Sequence, residues 1–170
     1  MNKSKWMFQT QHKENFKSKL YKLVFNLYPS YRRTGGRVIF LSQGWKEVHV
    51  KLPLNWKTRN YVGTVFGGSI YGALDPIYML QLMNILGKDF VVWDKSAHVK
   101  FIKPINQTVY AKFLITDDLI SEIKAKVAQD GKYVLDLKAY FLDKQEKVYA
   151  EVSKELYIAD KAFYKNRKKK

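Results

Sequence analysis

The chain contains no cysteine, so neither a disulfide nor a thiolate-bound metal can hold or run it. That absence suits a reducing compartment, and a cytoplasmic protein is expected. Histidine is scarce as well: His12, His49 and His98 are scattered, and no paired-carboxylate motif accompanies them. Such a set supports neither a metal site nor a Ser-His-Asp arrangement, and no metal is expected. His49 and His98 alternate with apolar strand residues and read as solvent-facing. Residues 1–15 are polar and basic and lack the continuous apolar segment of a signal peptide.

Acid is missing from both ends. Residues 1–37 carry nine Lys and Arg against Glu14 alone, and residues 161–170 carry six against none, within a total net charge of +16. The body between them is close to neutral, which argues against a specific nucleic-acid binder. Basic ends attract polyanions without sequence preference, whether phosphorylated cofactors, anionic lipid or RNA. The preferred reading is a solvated surface, with peripheral anionic membrane contact not favoured. The organisation expected is a basic helical extension over 1–36, one domain over 37–160 and a basic tail over 161–170. With 46% hydrophobic and 15% aromatic residues, such a domain has material for a full core.

Charge is nearly absent from the middle. Between Tyr61 and Gly87 the only charged residue is Asp75. A lone carboxylate on a helix apolar around most of its circumference costs several kcal/mol of desolvation unless compensated. Pro76 adds to the cost, because it cannot donate to the carbonyl of Gly72 and disfavours helical geometry at Asp75. Against a bilayer span stand Asp75 itself, Gln81 and Asn84, and the glycines at 63, 67, 68 and 72. Protein must therefore enclose this segment.

The periodicity supplies the enclosure. Phe16, Leu20, Leu23, Val24, Leu27 and Tyr28 recur at helical spacing. Such a helix lies on a membrane or packs on its own domain, and packing on the domain is expected. Pro29 ends it, and residues 32–36 read as a turn-rich basic linker. Residues 37–41 and 48–52 read as strands, 68–86 as one long helix, and 90–93 with 99–102 as a strand interrupted near Asp94-Lys95. Alternation then predicts strands around 109–116, 123–127, 133–141 and from 148 onward, with a hairpin at Asp130-Gly131. A curved antiparallel sheet wrapped around a long central helix, an α+β arrangement with an N-terminal amphipathic helix, satisfies these elements.

The run Asn60-Tyr61-Val62-Gly63-Thr64-Val65-Phe66-Gly67-Gly68, followed by Asp75, resembles the hot-dog fold acyl-CoA thioesterases of the phenylacetate-pathway (PaaI-like) type. It looks closest to their DUF4442 branch, also labelled tetrameric acyl-CoA thioesterase. The family pattern is Asn, Gly-Thr three residues on, His-Gly-Gly, and a carboxylate seven residues past the second glycine. Asn60, Gly63, Thr64, Gly67, Gly68 and Asp75 match it, and Phe66 stands where the family has histidine. Val92-Trp93-Asp94-Lys95 and Phe101-Ile102-Lys103-Pro104 are also similar to that branch.

The resemblance implies hydrolysis of an acyl-CoA, with coenzyme A entering as part of the substrate and no other cofactor. It implies a backbone N–H of Gly67 on the thioester oxygen, Asp75 as general base or nucleophile, and Asn60 orienting water or carboxylate. It also implies a site shared across a homodimer, with dimers pairing into tetramers. Asp94 falls near a secondary Ser/Thr position, where a second carboxylate would face Asp75 and raise its pKa; alternatively Lys95 is the counter-ion. Candidates for the CoA phosphates are Lys57, Arg59, Arg32, Arg33 and Lys103. Tyr71, Tyr78, Met79, Leu82 and Met83 are candidates for an acyl pocket, and serve equally as core. Read as residues alone, Asp75 also fits a structural role at a helix break, Asn60 a turn, and Gly67-Gly68 a plain helix start. With Phe66 in place of histidine, a non-catalytic module that binds an acyl chain, CoA or a partner is the alternative.

Overall fold

The computed structural model describes residue 10 and residues 12–167; the far tips of the two basic extensions lie outside the described residues. In chain order the elements are α1 (Phe16–Leu27), α2 (Pro29–Thr34), β1 (Arg37–Leu41), β2 (Glu47–Leu52), α3 (Gly67–Leu74) and α4 (Ile77–Leu86). They continue with β3 (Phe90–Phe101), β4 (Val109–Leu114), α5 (Asp117–Asp130), β5 (Lys132–Leu142), β6 (Val148–Asp160) and α6 (Lys161–Arg167). The six strands form one sheet in the order β1-β2-β4-β5-β6-β3, antiparallel throughout.

Alternation along each strand gives that sheet one apolar face. Val50, Leu52, Val109, Phe113, Phe141, Val152, Leu156 and Ile158 are buried on it, together with Ile70, Ala73, Leu74, Ile77 and Leu82 of α3 and α4. The central helix is thus enclosed, as its apolar circumference requires. It is not continuous. Pro76 breaks it into α3 and α4, yet Asp75 keeps right-handed helical geometry (φ −46°, ψ −54°), against the expected bias of a residue preceding proline.

Several other expectations fail. Residues 123–127 are not a strand, and Asp130-Gly131 is no hairpin turn: they lie in and beyond α5. Thr116 caps its start by accepting from the N–H of Leu119, and Asp117 and Asp118 occupy the positive first turn. Ile120, Ile123 and Val127 bury one face while Ala125 is exposed, so the period is helical. Gly131 closes the helix at φ 71°, a left-handed position that favours glycine. The stretch 32–36 is not simply a linker, because Pro29 opens α2 and Gly35 caps it. His49, read as solvent-facing, is buried; His98 is exposed.

The two sheet edges differ. On β1 the backbone is covered from α1 and the segment before it. Asn26 exchanges two bonds of 2.8 Å with Val38, Glu14 accepts from the Leu41 N–H at 3.0 Å, and Lys22 donates to the Ile39 carbonyl at 3.3 Å. These contacts blunt an edge that would otherwise pair with another chain. Among the described residues, no side chain covers the free edge of the 12-residue β3 in this way.

Candidate active site

Asp75 is compensated by a residue the sequence reading passed over. Lys154, on β6 and 2% exposed, places Nζ 2.6 Å from Asp75 Oδ1 and 2.8 Å from Asp94 Oδ2, and 3.0 Å from the Asp75 carbonyl. The same ammonium lies 5.4 Å from the centre of the Tyr71 ring, and the Tyr71 phenol neighbours Asp75. The desolvation penalty of Asp75 is therefore met by a buried cation within the same chain. The signal was present: Lys154 is in phase with the inward residues Val152 and Leu156 of β6, where a lysine has no place unless a charge awaits it.

Asp94 reaches this group because β3 carries a bulge between Asp94 and Ser96, and Asp94 pairs in register with the inward Leu156. Burial pushes its carboxyl above the usual range, Lys154 opposes the shift, and the nearby Asp75 charge adds to it. Asp94 Oδ1 is buried without a partner among the described residues. Lys154 loses from burial but gains more from its two carboxylates, so its ammonium is held above the ordinary lysine range. Burial and then the neighbouring Asp75 raise the Tyr71 phenol. Lys95 is not the counter-ion of Asp75. It pairs with Glu155 on the exposed side of the sheet.

Asp75 is still reachable. Its side chain keeps 40% of its exposure, and it forms part of the wall of a cavity of about 600 Å³ lined by Tyr21, Val24, Phe25, Tyr28, Tyr31 and Leu80 among others. This cavity lies between α1, α2 and the central helix. Its lining is mostly apolar.

The glycine turn sits elsewhere. Gly67 is the first residue of α3, and Phe66 before it offers no side-chain cap; the Ser69 N–H donates to the Phe66 carbonyl at 2.9 Å, which leaves the N–H groups of Gly67 and Gly68 open to an acceptor. A Cβ on Gly68 would fall 2.3 Å from Cε1 of Phe66, so glycine there lets the Phe66 ring fold back over the helix start. Gly67 lines a second cavity of about 420 Å³ with Asn60, Phe101 and Lys103. The side chain of Asn60 is engaged in its own loop, donating to Thr64 Oγ1 at 2.9 Å and accepting from the N–H groups of Val62 and Thr64. A third cavity, of about 450 Å³, joins Tyr71, Asp94 and Lys95.

Gly67 and Asp75 thus occupy opposite ends of α3, about 12 Å apart at 1.5 Å per residue, and line different cavities. Of the phosphate candidates, Lys103 joins Gly67; Lys57 and Arg59 are exposed just before Asn60, and Arg32 and Arg33 are exposed on α2. The acyl candidates are not gathered into one pocket. Tyr78 and Leu82 are buried in the core, Met79 packs against it, Met83 is exposed and Tyr71 faces Asp94.

Comparison with known proteins agrees with this architecture. The family model described as "Domain of unknown function (DUF4442)" matches residues 17–158. No curated protein matches the chain. A Pseudomonas aeruginosa protein of unknown function, named a "probable thioesterase", superposes with TM-score 0.74 at 16% identity, over 88% of this chain and 99% of its own. A Haemophilus influenzae thioesterase does so with TM-score 0.62 at 11% identity, over 89% and 96%. A mutant form of the phenylacetic acid degradation protein PaaI of Thermus thermophilus gives TM-score 0.51 at 14% identity, over 76% and 97%. Identities this low speak for the fold, and the family model covers most of the length. The chain belongs to the DUF4442 family and has the hot-dog fold.

Proposed function

We propose that the protein hydrolyses an acyl-CoA thioester to the free acid and coenzyme A. One observation carries the reading: the only charged residue of a 27-residue stretch is held in a fixed orientation, yet remains open to an apolar cavity large enough for an acyl chain. Water attacks the thioester carbonyl carbon and Asp75 accepts its proton as the carbon–oxygen bond forms. The oxyanion is bound by the Gly67 N–H at the positive end of α3. Collapse of the intermediate breaks the carbon–sulfur bond, and the proton on Asp75 passes to the departing thiolate. Lys154 and Tyr71 orient the Asp75 carboxylate, and Lys103 offers charge to the CoA phosphates.

Because Gly67 and Asp75 of one chain cannot touch one carbonyl, the site is assembled from two protomers. The free edge of β3 supports that pairing. Trp93 and Phe101 on it are 54% and 61% exposed, and Phe66 beside Gly67 is 58% exposed. Antiparallel pairing of β3 with its symmetry mate would cover the edge and these rings; dimers then pair into tetramers.

The experiment is thiol release from acyl-CoA substrates of graded length by the wild type and Asp75→Asn. Turnover is expected to fall by on the order of 10²–10⁴ with the melting temperature little changed. Equal turnover in the two proteins would remove Asp75 from the mechanism. Phe66 at the family's histidine position favours a second reading, a module that binds an acyl-CoA without cleaving it. It predicts heat of binding in calorimetry and no thiol release.

A further inference from the structure

Helix α1 is mounted with its apolar side outward. At 100° per residue, Ser18, Tyr21, Lys22, Phe25 and Asn26 share one face, and that face holds the helix to the domain. Ser18 is buried in a capping box with Asn15, Lys22 bonds to Glu14 at 2.7 Å, Asn26 grips Val38, and Phe25 meets Tyr31 edge to face at 4.3 Å. The opposite arc, about 100° wide, consists of Phe16, Leu20, Leu23, Val24 and Leu27. These are 84%, 49%, 55%, 56% and 56% exposed. The helix packs on its own domain as expected, but through the face of Ser18, Tyr21, Lys22, Phe25 and Asn26; the apolar stripe expected to make that contact is instead exposed among the described residues.

A contiguous exposed patch of large aliphatic and aromatic side chains marks a binding surface, and the charge around it selects the occupant. Lys17 and Lys19, both exposed, flank the arc on its two sides, and α1 contains no acid. Residues 1–37 carry nine basic residues against Glu14. A second copy docking here face to face would bring two such basic segments together, whereas an anionic lipid surface complements them. We propose that α1 is an interfacial anchor that docks the folded protein on an anionic bilayer. Its five apolar side chains enter the acyl boundary, and Lys17 and Lys19 lie at the headgroups. No helix among the described residues is long and apolar enough to cross a membrane, so the contact is with one leaflet. Val24 belongs both to the exposed arc and to the wall of the 600 Å³ cavity, so docking places that cavity beside the lipid. Docking does not depend on the hydrolysis proposed above, and each is tested without the other.

The test is flotation with vesicles of phosphatidylcholine alone and of phosphatidylcholine with 30% phosphatidylglycerol, using the full chain. Wild type is expected on the anionic vesicles, weakened but not abolished by high salt. Leu20→Glu/Leu23→Glu should lower partitioning on the order of a hundredfold, and Lys17→Glu/Lys19→Glu by roughly tenfold or more. All four sites are exposed, so both variants should keep the wild-type melting temperature and its thiol release from a short, soluble acyl-CoA. Three results would overturn the anchor: no binding by wild type; binding undiminished in Leu20→Glu/Leu23→Glu; or no vesicle binding together with a drop in molar mass of that variant by light scattering, which would assign the face to a second copy. Retention on RNA by both wild type and that variant, with no flotation, would likewise overturn it in favour of polyanion capture by the basic ends.

Discussion

Replacing Lys154 by methionine keeps the stem of the side chain and deletes one buried charge, leaving Asp75 and Asp94 facing each other. Both carboxylates now bond the same Nζ, at 2.6 Å and 2.8 Å, so their oxygens lie within about 5 Å of each other. At an effective dielectric of about 20, two unit charges at that distance repel by about 3 kcal/mol. The 40% exposure of the Asp75 side chain admits water and lowers this to about 2 kcal/mol. Lost hydrogen bonds to the charged partners raise the total to about 2–4 kcal/mol at pH 7. The sign with pH follows from Asp94, whose carboxyl burial already raises. Without Lys154 that carboxyl rises further, so the variant's folded state binds a proton that its unfolded state does not. The loss should therefore shrink as pH falls from 7 to 5. Urea denaturation of both proteins at the two pH values measures it, and adding Asp94→Asn to the variant should restore most of the loss at pH 7. An unchanged midpoint at pH 7, or the same deficit at both pH values, would refute this account of how Asp75 is compensated.

Two further outcomes follow from the fold. Glu47 is fully buried beneath His12, His49 and Lys112; burial opposes its charge, but those three hydrogen bonds prevail and hold its carboxyl at about 2. Burial likewise lowers the His49 imidazole below the ordinary 6.5. Both groups bind protons more readily when unfolded, so stability is full above these ordinary values. It is lost as pH falls, first below 6.5 and then from 4.5 toward 2, the Glu47 part being on the order of 3 kcal/mol. Glu47→Gln should be less stable at neutral pH and flatter across the acid range in urea titrations; a wild-type profile flat from pH 6 to 3 would contradict the assignment. Thr116→Ala should cost about 1 kcal/mol by uncapping α5, read as a lower melting temperature. No change would mean that the cap contributes nothing.

Much of the architecture was legible in alternation. The strands β1, β2, β5 and the start of β6 follow from period two, and α1 and the enclosed central helix from period 3.6. The misreadings share a cause. Ile123, Ala125 and Val127 alternate by coincidence, while Thr116, the two aspartates after it and Gly131 carried the helix signal. His49 and Glu47 sit on the polar side of β2, but His12 and the segment before α1 cover them, and no local pattern reports a cover supplied from 35 residues away. At the site, Asp75 stood out because a charge in an apolar helix breaks a rule, and the Gly67 turn because it matches the family pattern. Lys154 was hidden by its distance of 79 residues from Asp75, though its inward phase on β6 gave it away. The outward apolar arc of α1 was visible as a stripe; which way it faced depended on Ser18 and Asn26 finding partners.

The most direct test of the central claim, a site built from two protomers, is subunit complementation. Gly67 is the first helical residue of α3, where proline is tolerated, and Phe66 before it already has the extended φ −61° and ψ 134° that proline demands of its predecessor. Gly67→Pro therefore removes the N–H without breaking the helix start, and Gly67→Ala, which keeps the N–H and brings the same Cβ to 3.2 Å from Cζ of Phe101, is the control. Gly67→Pro and Asp75→Asn should each abolish thiol release, while Gly67→Ala retains it. Protomers of the two inactive variants, unfolded together and refolded as a mixture, should regain about one quarter of wild-type turnover, because half of the dimers then hold one intact site of two. No recovery in mixed dimers of confirmed composition would contradict a site shared between chains.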